Sequence, residues 1–173
     1  MKNLDLSYGH HKTPEEGMCL MEAVAFLAGE THSDRPECAC PILSAYGRVL
    51  NDRMGGGEQG DALRAKYLAP LASRLVGTRS TPEVERKRGY FFADRAVRVF
   101  APLALDSAGL ESEAERLRGL PEIVDKKTAD RAAEAAEAAY AASDAAVAAA
   151  AAASAGAWEQ AAQVLAQACE ITE

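Results

Sequence analysis

The sequence predicts an all-α fold, in which a compact helical domain is followed by a long alanine-rich C-terminal helix. No segment of the 173 residues sustains the alternation of apolar and polar side chains that marks a half-buried strand. Capping residues and prolines mark several helix starts, and alanine, the best helix former, dominates the end of the chain. We therefore expect a helical core domain over residues 1–125 and one long helix over residues 126–173.

The segment TPEE, residues 13–16, predicts the start of the first helix. Thr13 has a suitable side chain for an N-cap, and Glu16 would close a capping box with it. Pro14 would occupy the first helical position, where its missing N–H has no partner to lose. The apolar run that follows should end at Gly29, because glycine commonly closes helices in the left-handed conformation.

Three further helix starts follow from the same chemistry. Pro41 opens an amphipathic segment that should end at GGGEQGD, residues 55–61. Thr81, in TPEV, repeats the Thr-Pro-Glu start of the first helix. Ser112 and Glu115 have the spacing of a second capping box. Each of these signals predicts another helix of the core domain.

The alanine-rich tail carries its few large side chains on one stripe of the predicted helix. At 100° per residue they fall within a band of about 40°. The phase continues through Gly156, which favours one helix over two. We favour packing of the stripe on the protein's own core; in the alternative, the helix protrudes and forms an oligomer or partner interface. The stripe comprises Tyr140, Val147, Trp158, Leu165 and Cys169.

The net charge and the hydropathy of the chain limit the classes of partner that we expect it to bind. The net charge is −7, and most of the excess acid follows residue 129, which argues against non-specific nucleic-acid binding because phosphate contacts dominate that affinity. Apart from the weakly apolar alanine tract, no run approaches the roughly 20 apolar residues of a membrane-spanning helix. The first residues do not resemble a signal peptide, and four cysteines without one suggest free thiols. We expect a cytoplasmic protein without a membrane partner.

Glu22 is the charged residue in an otherwise apolar first helix. A buried carboxylate is costly unless it is paired or protonated, so Glu22 requires a partner or a function. We favour an ion pair with an arginine of another helix. In the alternative, Glu22 is a functional carboxylate that lines a pocket, with Cys19 on the same face of the helix.

The segment ETHSDRPECACP, residues 30–41, concentrates metal-ligating and nucleophilic residue types in one loop. Zinc prefers four Cys, His or carboxylate ligands, but the one-residue spacing in CAC suits it poorly. A thiol nucleophile would be Cys38, with His32 and Asp34 as its base and orienting group. We favour a third interpretation, in which the cysteines are buried packing residues. The zinc set would be Cys19, His32, Cys38 and Cys40, with His10 or His11.

A basic helix is predicted over residues 82–100, with its charges on one side and Phe91 inside the charged arc. Arginines around an aromatic ring suit pairing with a phosphate and stacking on a base, as in nucleotide recognition. We favour the simpler interpretation of a solvated face neutralised by the acidic tail helix. The charged arc comprises Lys87, Arg88, Asp94, Arg95 and Arg98.

Four sequence blocks stand in a distinctive order. They are GMCLMEAVAFLAGETHSDRPECACP at 17–41, ND at 51–52, LVGTRSTPEVE at 75–85 and ADRAVRVFAPLAL at 93–105, followed by the alanine-rich tail. In this order they resemble an uncharacterised family of bacterial and phage proteins. The resemblance implies a context in accessory genes of bacteria and their viruses, and it implies no activity, cofactor or catalytic residue. No glycine-rich phosphate loop or HExxH pair indicates an enzyme class.

These observations predict a non-enzymatic binding protein that sequesters a nucleotide-like ligand or blocks a host or phage partner. We expect a homo-oligomer without a metal or other cofactor. The alternative is a metal- or thiol-dependent enzyme centred on residues 30–41. The candidate ligand-binding residues are Glu22, His32, Asp34, Arg88, Phe91, Arg95 and Arg98.

Overall fold

The computed structural model describes residues 4–143 and 156–172, and its regular elements in these ranges are all helical. The predicted all-α fold is confirmed. None of the described helices is long and apolar enough to cross a membrane. The order is α1 (Leu20–Ala28), α2 (Pro41–Arg53), α3 (Gly57–Tyr67), a 3₁₀ turn (Ala69–Leu71), α4 (Ala72–Leu75), α5 (Pro82–Arg95), a π-helical turn (Ala96–Phe100), α6 (Ala101–Ser107), α7 (Glu111–Arg118), α8 (Lys126–Ser143) and α9 (Gly156–Cys169).

The helices form two compact units. The first unit comprises Met1–Glu85 and Gly156–Glu173, and the second comprises Arg86–Ala155. Helix α9 therefore belongs to the first unit, where Leu165 is fully buried and the helix packs on α2 and α3. The predicted continuity of the tail helix depends on residues 144–155, including Val147 of the apolar stripe, and these lie outside the described residues.

Helix α1 lies in the core of the first unit. Leu20, Met21 and Val24 are fully buried, and the helix packs against α2 and α4. Those helices contribute the fully buried Leu43 and Leu75. Burying an aliphatic side chain of this size contributes about 1.5–3 kcal/mol, so the core holds α1 firmly. The N-terminal end of α1 then provides a fixed frame for the residues that precede it.

The predicted start of the first helix is wrong, and its predicted end is confirmed. Helix α1 begins at Leu20 with Cys19 as N-cap, whereas residues 13–17 form turns in which the N–H of Gly17 donates to the carbonyl of Pro14 at 3.3 Å. Gly17 has φ 134°, a conformation that interrupts a right-handed helix. Gly29 closes α1 in the left-handed conformation, with φ 71°.

Two of the other predicted helix starts are confirmed and one is wrong. Helix α2 begins at Pro41, and the hydroxyl of Thr81 accepts the N–H of Val84 at 3.3 Å at the start of α5. Helix α7 begins at Glu111, so Ser112 lies inside it. Its hydroxyl there donates to a neighbouring carboxylate instead of capping a backbone N–H.

Asn51 of α2 ties the segment before α1 to the core. Its Oδ1 accepts the N–H of Leu20 at 3.1 Å, and its Nδ2 donates to the carbonyl of Ser7 at 3.1 Å. Its own carbonyl accepts from the buried guanidinium of Arg64 at 2.8 Å. A buried amide is tolerated when its polar atoms are hydrogen-bonded, and here those bonds fix the backbone of Ser7.

The second unit has a small core between α6, α7 and α8, built on Leu105, Ala114 and Leu117. A π-helical turn precedes Pro102, whose missing N–H removes one donor from the helical ladder. At the end of α5, the carboxylate of Asp94 accepts the N–H of Ile123 at 3.1 Å. This bond joins α5 to the segment between α7 and α8.

Candidate functional site

The carboxylate of Glu22 is fully buried and is surrounded by donors from the segment before α1. Its Oε2 accepts the N–H of Cys19 at 2.8 Å and lies 2.8 Å from Nδ1 of His11. Its Oε1 accepts the N–H of His11 at 2.8 Å and lies 2.8 Å from Nδ1 of His10. The partner expected for Glu22 was an arginine of another helix; the structure corrects this to two histidines that precede its own helix.

His32 completes this group, which we call the Glu22 cluster: Glu22, His10, His11 and His32. Nε2 of His32 lies 3.0 Å from the carbonyl oxygen of His11 and 3.8 Å from Oε1 of Glu22. Its Nδ1 is buried and has no hydrogen-bond partner among the described residues. The structure thus brings together Glu22 and His32, two of the candidate ligand-binding residues, and adds two histidines that were not among them.

Hydrogen bonding keeps the buried Glu22 ionised. Burial has the largest effect and raises its pKa, because a carboxylate loses hydration in the core. The N–H groups of His11 and Cys19 and the imidazole of His11 together outweigh burial, and they hold the pKa below its ordinary value of 4.5. The cluster therefore contains a carboxylate charge at neutral pH, stabilised by oriented donors.

Cys38 and Cys40, which are one residue apart in the loop, have different hydrogen-bond partners. The N–H of Cys38 donates to the carboxylate of Glu30 at 2.8 Å, whereas the N–H of Cys40 donates to the hydroxyl of Thr78 at 3.1 Å. Burial raises the pKa of Cys19 to about 12, and burial followed by the Glu30 contact raises that of Cys38. Since the thiolate is the nucleophile, both thiols are poorly reactive at neutral pH. In residues 4–143 and 156–172, no three Cys, His, Asp or Glu side chains are placed to hold a metal ion.

Asp34 lies apart from the hydrogen bonds of the Glu22 cluster and instead holds Arg48 of α2. Its carbonyl accepts from Nη1 of Arg48 at 3.0 Å, and its Oδ2 lies 3.9 Å from Nε of the same guanidinium. The hydroxyl of Ser33 accepts the N–H of Arg35 at 3.0 Å and tightens this turn. The loop thereby positions two arginines beside the first turns of α2.

Glu30 fixes the other end of the loop. Its two carboxylate oxygens accept the N–H groups of Glu37 and Cys38 at 2.7 and 2.8 Å. The carbonyl of Cys38 accepts the N–H of Arg79 at 2.8 Å, which brings the segment between α4 and α5 against the loop. These bonds fix the backbone of residues 37–38 to both ends of the loop's surroundings, Glu30 on one side and Arg79 on the other.

The loop, the start of α2 and Arg79 enclose a cavity of about 220 Å³, which we call the arginine pocket. Three arginines and one glutamate line it, and two of the arginines have carboxylate partners: Nε of Arg48 lies 3.9 Å from Asp34 and Nε of Arg79 lies 3.5 Å from Glu85. Ser44, which is 4% exposed, also lines it, and its Oγ has no hydrogen-bond partner in the part of the chain that the structure describes. The residues that line the pocket include Arg35, Glu37, Pro41, Ser44, Arg48 and Arg79.

The N-terminus of α2 adds to the positive potential of this pocket. The first N–H groups of a helix have no acceptor within it, and the partial charges of the helix make this end attractive to anions. Helix α2 has 13 residues, and no side chain caps its first turn. Pro41 itself has no N–H, so Ile42 and Leu43 carry the donors that lack an acceptor within the helix.

The basic stripe of the second unit has a partner of its own. Asp94, which is 2% exposed, accepts from Nη1 of Arg98 at 2.8 Å and lies 3.8 Å from Nη1 of Arg95. The guanidinium of Arg95 lies over the ring of Phe91, 4.8 Å from its centroid. Arg88 is 2% exposed. Of the predicted ligand-binding residues, the structure thus brings Arg95 and Arg98 together around a buried carboxylate that offsets their charge, and it places Phe91 against Arg95.

Sequence reasoning missed the residues of the arginine pocket. Arg35 lies inside the loop that attracted attention for its cysteines, and Arg48 and Arg79 lie 13 and 44 residues further along the chain. The only local signal was the proline that opens α2, because it marks a helix N-terminus beside the loop. Comparison with protein-family models, with curated proteins and with solved structures gives no match.

Proposed function

We propose that this protein is a binding protein for a small phosphorylated ligand, whose phosphate occupies the arginine pocket. The observation that carries the proposal is Ser44, which lines a pocket with three arginines and whose buried hydroxyl has no hydrogen-bond partner among the described residues. A buried polar group without a hydrogen bond costs about 1–3 kcal/mol. A ligand oxygen that accepts from this hydroxyl would remove that cost.

The charges of the pocket favour a phosphate group. Arg35 and Arg79 are exposed, and Arg48 is held at the pocket by Asp34. Guanidinium groups bind phosphate through paired, charge-assisted hydrogen bonds, and the partial positive charge at the N-terminus of α2, whose Pro41 lines the pocket, also favours an anion. Glu37 lines the pocket, and Asp34 and Glu85 pair with Arg48 and Arg79, so a doubly charged anion competes with these carboxylates for the guanidinium groups.

The size of the pocket sets the class of ligand. A volume of about 220 Å³ is below the roughly 300–1,000 Å³ of sites that enclose a whole drug-sized molecule. The pocket therefore encloses a phosphate and a small adjoining group, while the remainder of a nucleotide-like ligand extends outside. This is a binding role and uses neither a metal nor a thiol.

Calorimetric titration with inorganic phosphate and with a nucleoside monophosphate tests the proposal. The double variant Arg48→Ala/Arg79→Ala should raise the Kd about a hundredfold or more, since each of the two lost charged hydrogen bonds contributes about 1.5–3 kcal/mol. Arg74→Ala is the matched control, because Arg74 is an exposed arginine of the same unit that pairs with Glu170. Absence of saturable binding to the wild-type protein, or equal losses in both variants, would refute the proposal.

We also propose a cellular context and an oligomeric state for this binding protein. Resemblance to bacterial and phage proteins supports a cytoplasmic protein that sequesters its ligand or blocks a host component. The alanine-rich residues 126–173 support self-association, since small side chains allow close helix packing. Native mass spectrometry of protein purified from its host should detect multimers that retain a phosphorylated molecule. A monomer that retains no phosphorylated molecule would contradict both the proposed self-association and the proposed ligand binding.

A further inference from the structure

Ser7, His11 and Glu22 form a continuous hydrogen-bonded chain in the first unit. Oγ of Ser7 lies 3.0 Å from Nε2 of His11, and Nδ1 of the same ring lies 2.8 Å from Oε2 of Glu22. A hydroxyl, an imidazole and a carboxylate in this order are the groups that activate a serine nucleophile. Both distances lie within the 2.6–3.2 Å that proton transfer requires.

The carboxylate determines which imidazole nitrogen carries the proton. An ionised carboxylate only accepts hydrogen bonds, so Nδ1 of His11 must donate to Glu22. In the neutral ring, Nε2 is then an acceptor, and it faces the hydroxyl of Ser7. His11 is thus in the tautomer that can remove a proton from Ser7.

Backbone contacts hold both members of the pair. The N–H of His11 donates to Glu22, and its carbonyl accepts from His32. The N–H of Ser7 donates to the carbonyl of Met18 at 2.8 Å, and its carbonyl accepts from Asn51. The geometry therefore does not depend on the Ser7–His11 contact itself, as is expected of a preorganised nucleophile and base.

Gly17 packs directly against this pair. A Cβ at Gly17 would lie 2.6 Å from Oγ of Ser7 and 3.0 Å from Nε2 of His11, so any other residue would displace one of them. Ser7 nevertheless remains partly exposed, and the side chain of the adjoining Tyr8 is 55% exposed. Ser7 is therefore not sealed in the core, and the next residue in the chain is an exposed aromatic side chain.

We propose that Ser7 is a nucleophile that cleaves small activated carboxylic esters, with His11 as base and Glu22 as its positioning residue. Oγ of Ser7 bonds to the acyl carbon as its proton passes to Nε2 of His11. Collapse of the tetrahedral intermediate breaks the bond to the leaving oxygen, which takes that proton. Water, deprotonated by His11, then attacks the acyl carbon, and the protonated His11 returns this proton to Oγ of Ser7 as the acyl bond breaks, which gives the carboxylic acid and free Ser7. This activity does not depend on the arginine pocket.

A fluorophosphonate probe and p-nitrophenyl acetate test the proposal on the full chain. Peptide mass spectrometry should locate one probe adduct on Ser7. Ser7→Ala should abolish the adduct, and His11→Ala should slow both labelling and ester cleavage by about a hundredfold, the usual contribution of a general base. Ser107→Ala is the matched control: Ser107 is an exposed serine whose hydroxyl donates to the carbonyl of Leu103 at 2.9 Å, and its loss should leave labelling of Ser7 unchanged.

Two results would overturn the assignment. One is a wild-type protein with no adduct on Ser7, and the other is a folded His11→Ala variant that labels at the wild-type rate. Circular dichroism establishes folding in each case. If His11→Ala does not fold, Ser7→Cys decides: its thiol should react with iodoacetamide faster at neutral pH than a free cysteine, and an equal or slower rate refutes activation by His11.

Discussion

Cys19 and Glu22 cap the first helix reciprocally. The N–H of Cys19 donates to the carboxylate of Glu22 at 2.8 Å, and the N–H of Glu22 donates to the sulfur of Cys19 at 3.5 Å. The same carboxylate also accepts from His11, so one buried charge stabilises a helix start and anchors the preceding segment. Substitutions at Glu22 should therefore affect stability as well as any activity of the cluster.

Glu22→Gln should destabilise the protein by about 3 kcal/mol. A glutamine presents an amide NH₂ to groups that are themselves donors, which leaves buried N–H groups without acceptors. Urea denaturation of both proteins measures the difference. Glu16→Gln is the control, since Glu16 is exposed and accepts one backbone N–H at 3.1 Å. A loss below about 0.5 kcal/mol for Glu22→Gln, no larger than for a typical surface substitution, would contradict the cluster.

Stability should fall in acid, partly because of Glu22. Its pKa is lowered in the folded protein, so the unfolded chain binds more protons as the pH drops through the ordinary value of 4.5. The stabilisation by Glu22 is therefore complete above that pH and is lost as the pH approaches the folded pKa. Denaturation at a series of pH values should give a steeper acid loss for the wild type than for Glu22→Gln. Parallel curves would exclude this contribution.

Ser44→Ala should separate stability from binding. Removal of the unpartnered buried hydroxyl should leave the ligand-free protein equally stable, or more stable by about 1 kcal/mol. Affinity for phosphate should fall about fivefold, because the ligand loses one donor. Thermal unfolding and calorimetric titration measure the two effects. A destabilised Ser44→Ala protein with unchanged affinity would assign the hydroxyl a structural role only.

Two glycines inside helices should respond in opposite directions to alanine. At Gly60 in α3, a Cβ would lie 2.3 Å from the carbonyl oxygen of Gly55, so the backbone would have to move. We expect Gly60→Ala to cost about 2 kcal/mol or more. At Gly89 in α5, a Cβ would meet no atom within 4 Å, and the better helix propensity of alanine should add about 1 kcal/mol. Chemical denaturation measures the free energy of unfolding of both variants. If both substitutions changed it in the same direction, this prediction would be wrong.

Local signals in the sequence predicted several helix boundaries correctly. Gly29 ends α1, Pro41 opens α2 and Thr81 precedes α5, because each acts through its own backbone or its nearest neighbours. The start at Thr13 failed although its signal was as strong. Gly17 leaves the helical conformation there, and Glu22 supplies the alternative cap at Cys19.

The candidate site was predictable only in part. Burial and charge within one helix identified Glu22 as a residue that needs a partner, and its burial is confirmed. Its partners could not be read from that helix, because His10 and His11 reach it through a turn at Gly17. The sequence predicted that the arginines near Asp94 share one face of their helix, but it did not predict that the carboxylate of Asp94 is buried.

By itself, the sequence determined the helical class, the apolar first helix and the chemistry available in the loop of residues 30–41. These depend on propensity, periodicity and composition, which act over a few residues. Tertiary structure alone decided that Arg35, Arg48 and Arg79 share one pocket with Ser44, and that Ser7 meets His11 beside Glu22. Such contacts arise when the core fixes α1 against α2 and α4, since packing brings together residues that no local pattern relates.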